Sequence, residues 1–184
     1  MIIFFGPAGA GKSVQGQLLA ARYGWRWLSA GQLLRDTKDP QLLKEMQSGG
    51  LANSEKVNDI FEDALIKAKD IDGVISDGFP RELSQAKWLV DTLPKHERSI
   101  ALVVVLEVPR SEIDNRLRLR GRADDTPDAI EQRLSIYRQE VYPILNYFAE
   151  KGLKIAHIDG TGSVGQVHDR VVSELQAINL NPAV

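Results

Sequence analysis

The chain of 184 residues contains no cysteine, which excludes disulfides, thiolate metal sites and cysteine nucleophiles together. It is compatible with the reducing cytoplasm, where the chain is expected to reside. Long hydrophobic runs are also missing. The longest, Ile100 to Leu106, is far short of the ~20 apolar residues that span a bilayer, so no membrane partner is expected. The opening Met1-Ile2-Ile3-Phe4-Phe5 has no basic flank and stops at Gly6-Pro7, unlike a secretory leader. A surplus of basic charge is absent too. The formal net charge is -2, which argues against duplex binding and makes local arginine clusters candidate sites for small anions. No Asn-Lys pair occurs, so the guanine-reading N-K-x-D segment of nucleotide switches is missing. The loose D-x-x-G pattern at Asp70–Gly73 and Asp159–Gly162 is of the kind expected by chance.

What is present is a set of short apolar runs: Ile2–Phe5, Val74–Ser76, Ile100–Leu106, Lys154–Ile158 and, more weakly, Trp25–Leu28. Runs of Ile and Val without polar alternation suit strands covered on both faces, as in a parallel sheet. Helical periods lie between them. Ile130, Leu134, Tyr137, Val141, Leu145 and Phe148 recur at spacings of three and four and trace one apolar face. Alternating strands and helices predict a single α/β domain with a doubly wound parallel sheet. Residues 30–58 are polar and helical without a core strand, an excursion from the sheet. Residues 119–128 form a short charged loop between two helices. The tail beyond Asn179 is expected to fray.

Gly6-Pro7-Ala8-Gly9-Ala10-Gly11-Lys12-Ser13 fits G-x-x-x-x-G-K-[ST], after an apolar strand and before a helical stretch. Such a loop aims backbone N–H groups inward, the helix N-terminus adds partial positive charge, and Lys12 reaches the outer phosphates. The bland alternative is a glycine-rich turn before a helix, and the strand and helix context argues against it. Val74-Ile75-Ser76-Asp77 is an apolar strand ending in an acid, as the second element of a phosphate-loop site should be; there Asp77 would hold Mg²⁺, with Ser13, directly or through water.

At Asp77-Gly78-Phe79-Pro80-Arg81, with Gln85 following, the chain resembles the adenylate kinase family of nucleoside monophosphate kinases. Leu28-Ser29-Ala30-Gly31-Gln32-Leu33-Leu34-Arg35 is similar to another of its segments. Gly121-Arg122-Ala123-Asp124-Asp125, with Arg133 beyond, resembles the short-lid members, and Asp159-Gly160-Thr161-Gly162 stands where the family's loop lies against the ATP adenine. The resemblance implies a P-loop nucleoside triphosphate hydrolase-like fold: five parallel strands flanked by helices, a monophosphate-binding flap at 30–58 and a short lid at 119–128. The core would comprise 1–29, 59–118 and 129–184. It implies reversible phosphoryl transfer between ATP and AMP with Mg²⁺, in a monomer.

By the same resemblance, Lys12, Arg35, Arg81, Arg120, Arg122 and Arg133 are the catalytic cations. Gly9, Ala10, Gly11, Lys12, Ser13, Val14, Arg116, Arg120 and Gly162 would bind ATP. Ala30, Arg35, Gly50, Leu51, Ala52, Gly78, Phe79, Pro80, Arg81, Gln85, Arg122 and Arg133 would bind AMP. Arginine suits the task because its planar fork stays charged and can grip phosphate oxygens bidentately. Arg118 is read as a solvated helix residue. Asp124 and Asp125 are read as orienting lid arginines or capping the next helix. His96, His157 and His168 share no motif and read as structural or surface residues, and Trp25, Trp27 and Trp88 fit core or surface packing better than base stacking.

Three positions depart from the family pattern. The loop reads Gly11-Lys12-Ser13-Val14 instead of G-K-G-T, which moves the hydroxyl one place. Ala52 replaces a valine that packs on the acceptor base, which loosens that pocket. Ala30 stands where adenylate kinases commonly carry threonine and UMP/CMP kinases carry alanine, whereas Gln85 matches the adenine-reading glutamine. A side chain that hydrogen-bonds a base edge discriminates more strongly than an apolar contact, so AMP is favoured. UMP/CMP kinase and a nucleotide-binding switch without kinase activity are the alternatives.

Overall fold

The computed structural model describes residues 1–122 and 125–181. Five strands form one parallel sheet: β1 (Ile2–Phe5), β2 (Arg26–Ser29), β3 (Val74–Asp77), β4 (Leu102–Glu107) and β5 (Ile155–Asp159), in the order β2-β3-β1-β4-β5. The doubly wound arrangement follows from residue alternation. Ile2 and Phe4 of β1 face one apolar cluster, with Leu19 and Tyr23 of α1 (Lys12–Tyr23) and Val171 and Leu175 of α8 (Val164–Gln176). Ile3 and Phe5 face the other, with Phe61 of α4 (Ser54–Lys67), Leu89 of α5 (Leu83–Thr92) and Phe148 of α7 (Pro127–Glu150). The central strands β3, β1 and β4 are covered on both sides, which is why Ile and Val dominate them, whereas the edge strands β2 and β5 carry exposed residues, among them Arg26, His157 and Asp159.

All five predicted strands are present, β1 with the expected ends and the others with ends shifted by at most two residues. The predicted apolar stripe of α7 buries Leu134, Val141, Leu145 and Phe148, with Ile130 and Tyr137 half-buried. Between β2 and β3 the described chain is helical: α2 (Ala30–Asp36), α3 (Pro40–Gln47) and α4. The expected charged loop at 119–128 is shorter than anticipated. α6 (Arg110–Arg120) carries Leu119 and Arg120 in its last turn and stops at Gly121, which caps it in the left-handed conformation at φ 58°. α7 starts with Pro127, its first turn capped by the Thr126 side chain accepting from the Ala129 N–H. Capping thus falls to Thr126 instead of Asp125. Asp124, given either role above, lies outside the described residues, as does the tail from residue 182. Among the described residues no helix is long and apolar enough to cross a membrane.

Candidate active site

β1 and β3 are neighbours, with Phe4 level with Asp77, so the two strands deliver the glycine-rich loop and an acid to the same end of the sheet. Gly11 holds the N-cap position of α1, its φ of 98° in the left-handed region, and no side chain caps the N-terminus of the helix. First-turn N–H groups without a side-chain cap are what an anion needs at a helix N-terminus. Lys12 folds back along the loop, its Nζ donating to Gly6 O at 2.6 Å and Pro7 O at 2.9 Å. Its pKa is lowered to about 8, chiefly by burial, with Asp77 opposing the shift and Arg81 and Arg120 adding to it. Ser13 Oγ donates to Asp77 Oδ2 at 2.6 Å. Asp77 itself is buried.

Lys12 lines a cleft of about 110 Å³. Phe5, Gly6 and Ala8 line it with Lys12, as do Gly49, Gly50 and Leu51, then Gly78, Pro80 and Arg81, and from α7 Arg133, Tyr137 and Glu140. Arg81 donates through Nε to Gly78 O at 2.9 Å. Its head is in contact with the cleft's solvent but crowded by protein, and that crowding lowers its pKa; Asp77 opposes the shift, and Arg133 and Arg35 add to it. Lys12, Arg35, Arg81, Arg120 and Arg133 therefore lie close enough to repel one another in pairs, a repulsion that a polyanion would relieve. Burial and the charge of Glu107 push the Tyr137 phenol up to about 12, so it is a neutral donor at physiological pH.

A second layer holds the arginines. Arg120 is paired with Asp125 through two bonds, and Arg133 reaches Asp125 Oδ1 at 3.1 Å and Met46 O at 3.2 Å. Burial works against the Asp125 charge, yet the bond and charge of Arg120, the charge of Arg133 and the Arg122 backbone hold its pKa below the usual carboxylate value. Arg116 donates to Ala10 O at 3.4 Å and Gly160 O at 3.0 Å, which ties the glycine-rich loop to the turn after β5 containing Gly162. The α3–α4 turn touches α7: a Cβ on Gly49 would lie 2.6 Å from Ala129 O.

The protein-family model for adenylate kinase matches residues 4–153. The chain belongs to the adenylate kinase family. An adenylate kinase of Mycobacterium leprae (strain Br4923) is 36% identical over 180 residues, 95% of this chain and 98% of the relative. One from Maricaulis maris (strain MCS10) is 35% identical over 185 residues, covering 95% and 98%. One from Synechococcus sp. (strain WH7803) is 35% identical over 179 residues, covering 95% and 97%. Family membership makes the chain an ATP-dependent phosphotransferase.

Several residues expected at the adenylate kinase site are placed differently from their simplest reading. The Phe79 side chain is in the core, stacked on Phe61 at 4.3 Å between ring centroids, while its neighbours Gly78, Pro80 and Arg81 line the cleft. Ala30 is buried at the start of α2 and Ala52 packs against the core, while Gly50 and Leu51 line the cleft. Gln85 is buried and hydrogen-bonded at both ends of its amide. Val14 is exposed on α1. Arg122 is exposed and lines a groove between α6 and α7 with Arg110, Arg118 and Asp128, apart from the residues that line the Lys12 cleft. Gly49 and Tyr137 were not among the expected cleft residues. Tyr137 hides within an apolar stripe, and nothing local to Gly49 announces Ala129 as its neighbour. Each histidine meets a side chain, His96 with Glu62, His157 with Glu107 and His168 with Gln15, and His157 does so at the surface.

Proposed function

We propose that the chain catalyses ATP + AMP = 2 ADP, with the two nucleotides meeting phosphate to phosphate above Lys12. The observation that carries this reading is that Lys12, Arg81 and Arg133 line one cleft at the sheet's C-terminal edge, with Arg120 and Arg35 near enough to act on Lys12 and Arg81. The AMP phosphate, with a charge of up to about -2, attacks the γ-phosphorus, and the bond to the bridging β–γ oxygen breaks. The attacking oxygen is already anionic, so the protein has no proton to remove. Its work is to align two polyanions and to spread positive charge over the transferring group.

In this reading the uncapped start of α1 and residues Gly9 to Val14 cradle the ATP phosphates, with Lys12 exchanging its loop carbonyls for phosphate oxygens. Arg116 and Gly162 flank the adenine, Arg35 and Arg81 grip the AMP phosphate, and Arg120 and Arg133 serve the transferring group. Residues 30–58 act as the AMP flap and 119–128 as the lid, which brings Arg122 to the phosphates on closing. Asp77 and Ser13 offer oxygen donors side by side, and one carboxylate plus a hydroxyl beside phosphates suits Mg²⁺. When bound, the ion would neutralise charge on the β- and γ-phosphates. The enzyme would work as a cytoplasmic monomer.

A coupled assay with AMP, CMP, UMP, GMP and dTMP as acceptors tests the proposal. Preference for AMP is expected; turnover of only CMP and UMP would move the assignment to UMP/CMP kinase, and turnover of none would reject kinase activity. Lys12→Met should fold normally and lose nearly all turnover.

A further inference from the structure

Gln85 is 2% exposed, and its amide has one favourable orientation. The Arg81 backbone N–H donates to Gln85 Oε1 at 2.9 Å; since a backbone N–H can only donate, the atom facing it must be the oxygen. Nε2 then donates to Ser54 Oγ at 3.1 Å. The Ser54 hydroxyl proton is directed onto Glu82 Oε1, which also accepts from Ser84 Oγ, so Ser54 turns its lone pairs towards Gln85. Neither Ser54 nor Glu82 is occupied in helix capping. The Asn53 side chain caps α4, and Glu82, at the N-cap position of α5, makes no side-chain capping bond. A flipped amide would set donor against donor at Arg81 and acceptor against lone pairs at Ser54, leaving buried polar groups unpaired.

We propose that Ser54 and Glu82 are positioning residues that lock the Gln85 amide, so that the enzyme accepts bases with an amino group beside an unprotonated ring nitrogen. The inference rests on the reading of Gln85 as the residue that meets the acceptor base. Gln85 Oε1 has a second lone pair and Nε2 a second hydrogen, an acceptor beside a donor. Adenine matches this pair, offering an N6–H donor and the N1 acceptor. A 6-oxo purine offers O6 as acceptor and N1–H as donor, the reverse order, and meets like with like. Cytosine has the same order as adenine and uracil the reverse. The lock therefore separates amino from oxo bases, and ring size is selected elsewhere.

The test compares kcat/KM for AMP and for inosine monophosphate, the 6-oxo counterpart, in wild type, Ser54→Ala, Ser54→Thr and Glu82→Ala. In Ser54→Ala the AMP-to-IMP ratio should fall about five- to tenfold, the scale of one hydrogen bond, through a higher KM for AMP with kcat little changed. Ser54→Thr keeps the hydroxyl and should keep the ratio. Glu82→Ala frees the Ser54 proton to donate and should lower the ratio in the same direction by less; it decides the matter if Ser54→Ala does not fold. Ratios within twofold of wild type in the alanine variants, or equal losses for both acceptors, overturn the lock while leaving AMP as acceptor. A wild-type enzyme inactive with every monophosphate overturns the kinase assignment and the lock with it.

Discussion

Asp125 receives both ends of the Arg120 guanidinium fork, from Nε at 2.8 Å and from Nη2 at 2.5 Å. Its Oδ1 also accepts from Arg133, so one nearly buried carboxylate joins the last turn of α6 to the second turn of α7. Bidentate pairing sets the plane of an arginine as well as its position. Asp125→Asn should therefore leave Arg120 and Arg133 in place but less aligned, and lower kcat/KM about tenfold, because small misplacements of charge-stabilising groups are costly. Steady-state kinetics decide it, and an unchanged kcat/KM would mean that the arginines are aimed by something else.

Lys12 supplies a pH dependence. Its folded pKa is about 8, below its ordinary value of 10.5, so between those limits the unfolded chain holds a proton that the folded chain has released. Stability attributable to this group therefore rises with pH through that window, and below it the buried charge is a cost. Phosphate binding runs the other way, since it favours the ammonium. The kcat/KM for ATP, which reports ionisations of the free enzyme, should fall as pH rises through about 8. Lys12→Arg should be less active at every pH but free of that inflection. A wild-type profile flat from pH 7 to 9.5 would contradict the assignment.

Arg122 tests closure. It lines the groove between α6 and α7 and is not among the residues lining the Lys12 cleft, so in the proposed mechanism it reaches the phosphates when the lid closes. Arg122→Ala should lower kcat about 10²–10³-fold, the size seen when one preorganised charge-stabilising donor is removed. The KM for AMP should change much less. A wild-type kcat would remove Arg122 from the site.

Gly49 is the contact between the α3–α4 turn and α7. It has φ 80°, and an added methyl would lie 2.6 Å from Ala129 O and 3.1 Å from Ala129 Cα, both rigid backbone. Gly49→Ala combines a strained backbone with overpacking and should destabilise the protein by about 1–3 kcal/mol. Thermal unfolding would show the loss. Because the turn carries Gly50 and Leu51, KM for AMP should rise as well, while KM for ATP stays near wild type.

Local pattern was enough for some of this molecule. The glycine-rich loop is contiguous: strand, turn and helix follow within Ile2–Tyr23, so the cradle around Lys12 is written in adjacent residues. Strands buried on both faces leave a mark that each carries by itself, which is why the runs at β1, β3 and β4 stand out and the one at the edge strand β2 is weaker. The Asp77–Arg81 segment likewise pointed to the family. Tertiary structure alone decided which distant groups meet. Packing of helices on both faces of the sheet brought Ser13 to Asp77, Asp125 to Arg120 and Arg133, Gly49 to Ala129, and Ser54 to Gln85. It also sent the Phe79 ring into the core and set Arg122 on the groove between α6 and α7. The periodicity of a segment says which side of it is buried, but its neighbour across the fold depends on how the other elements pack.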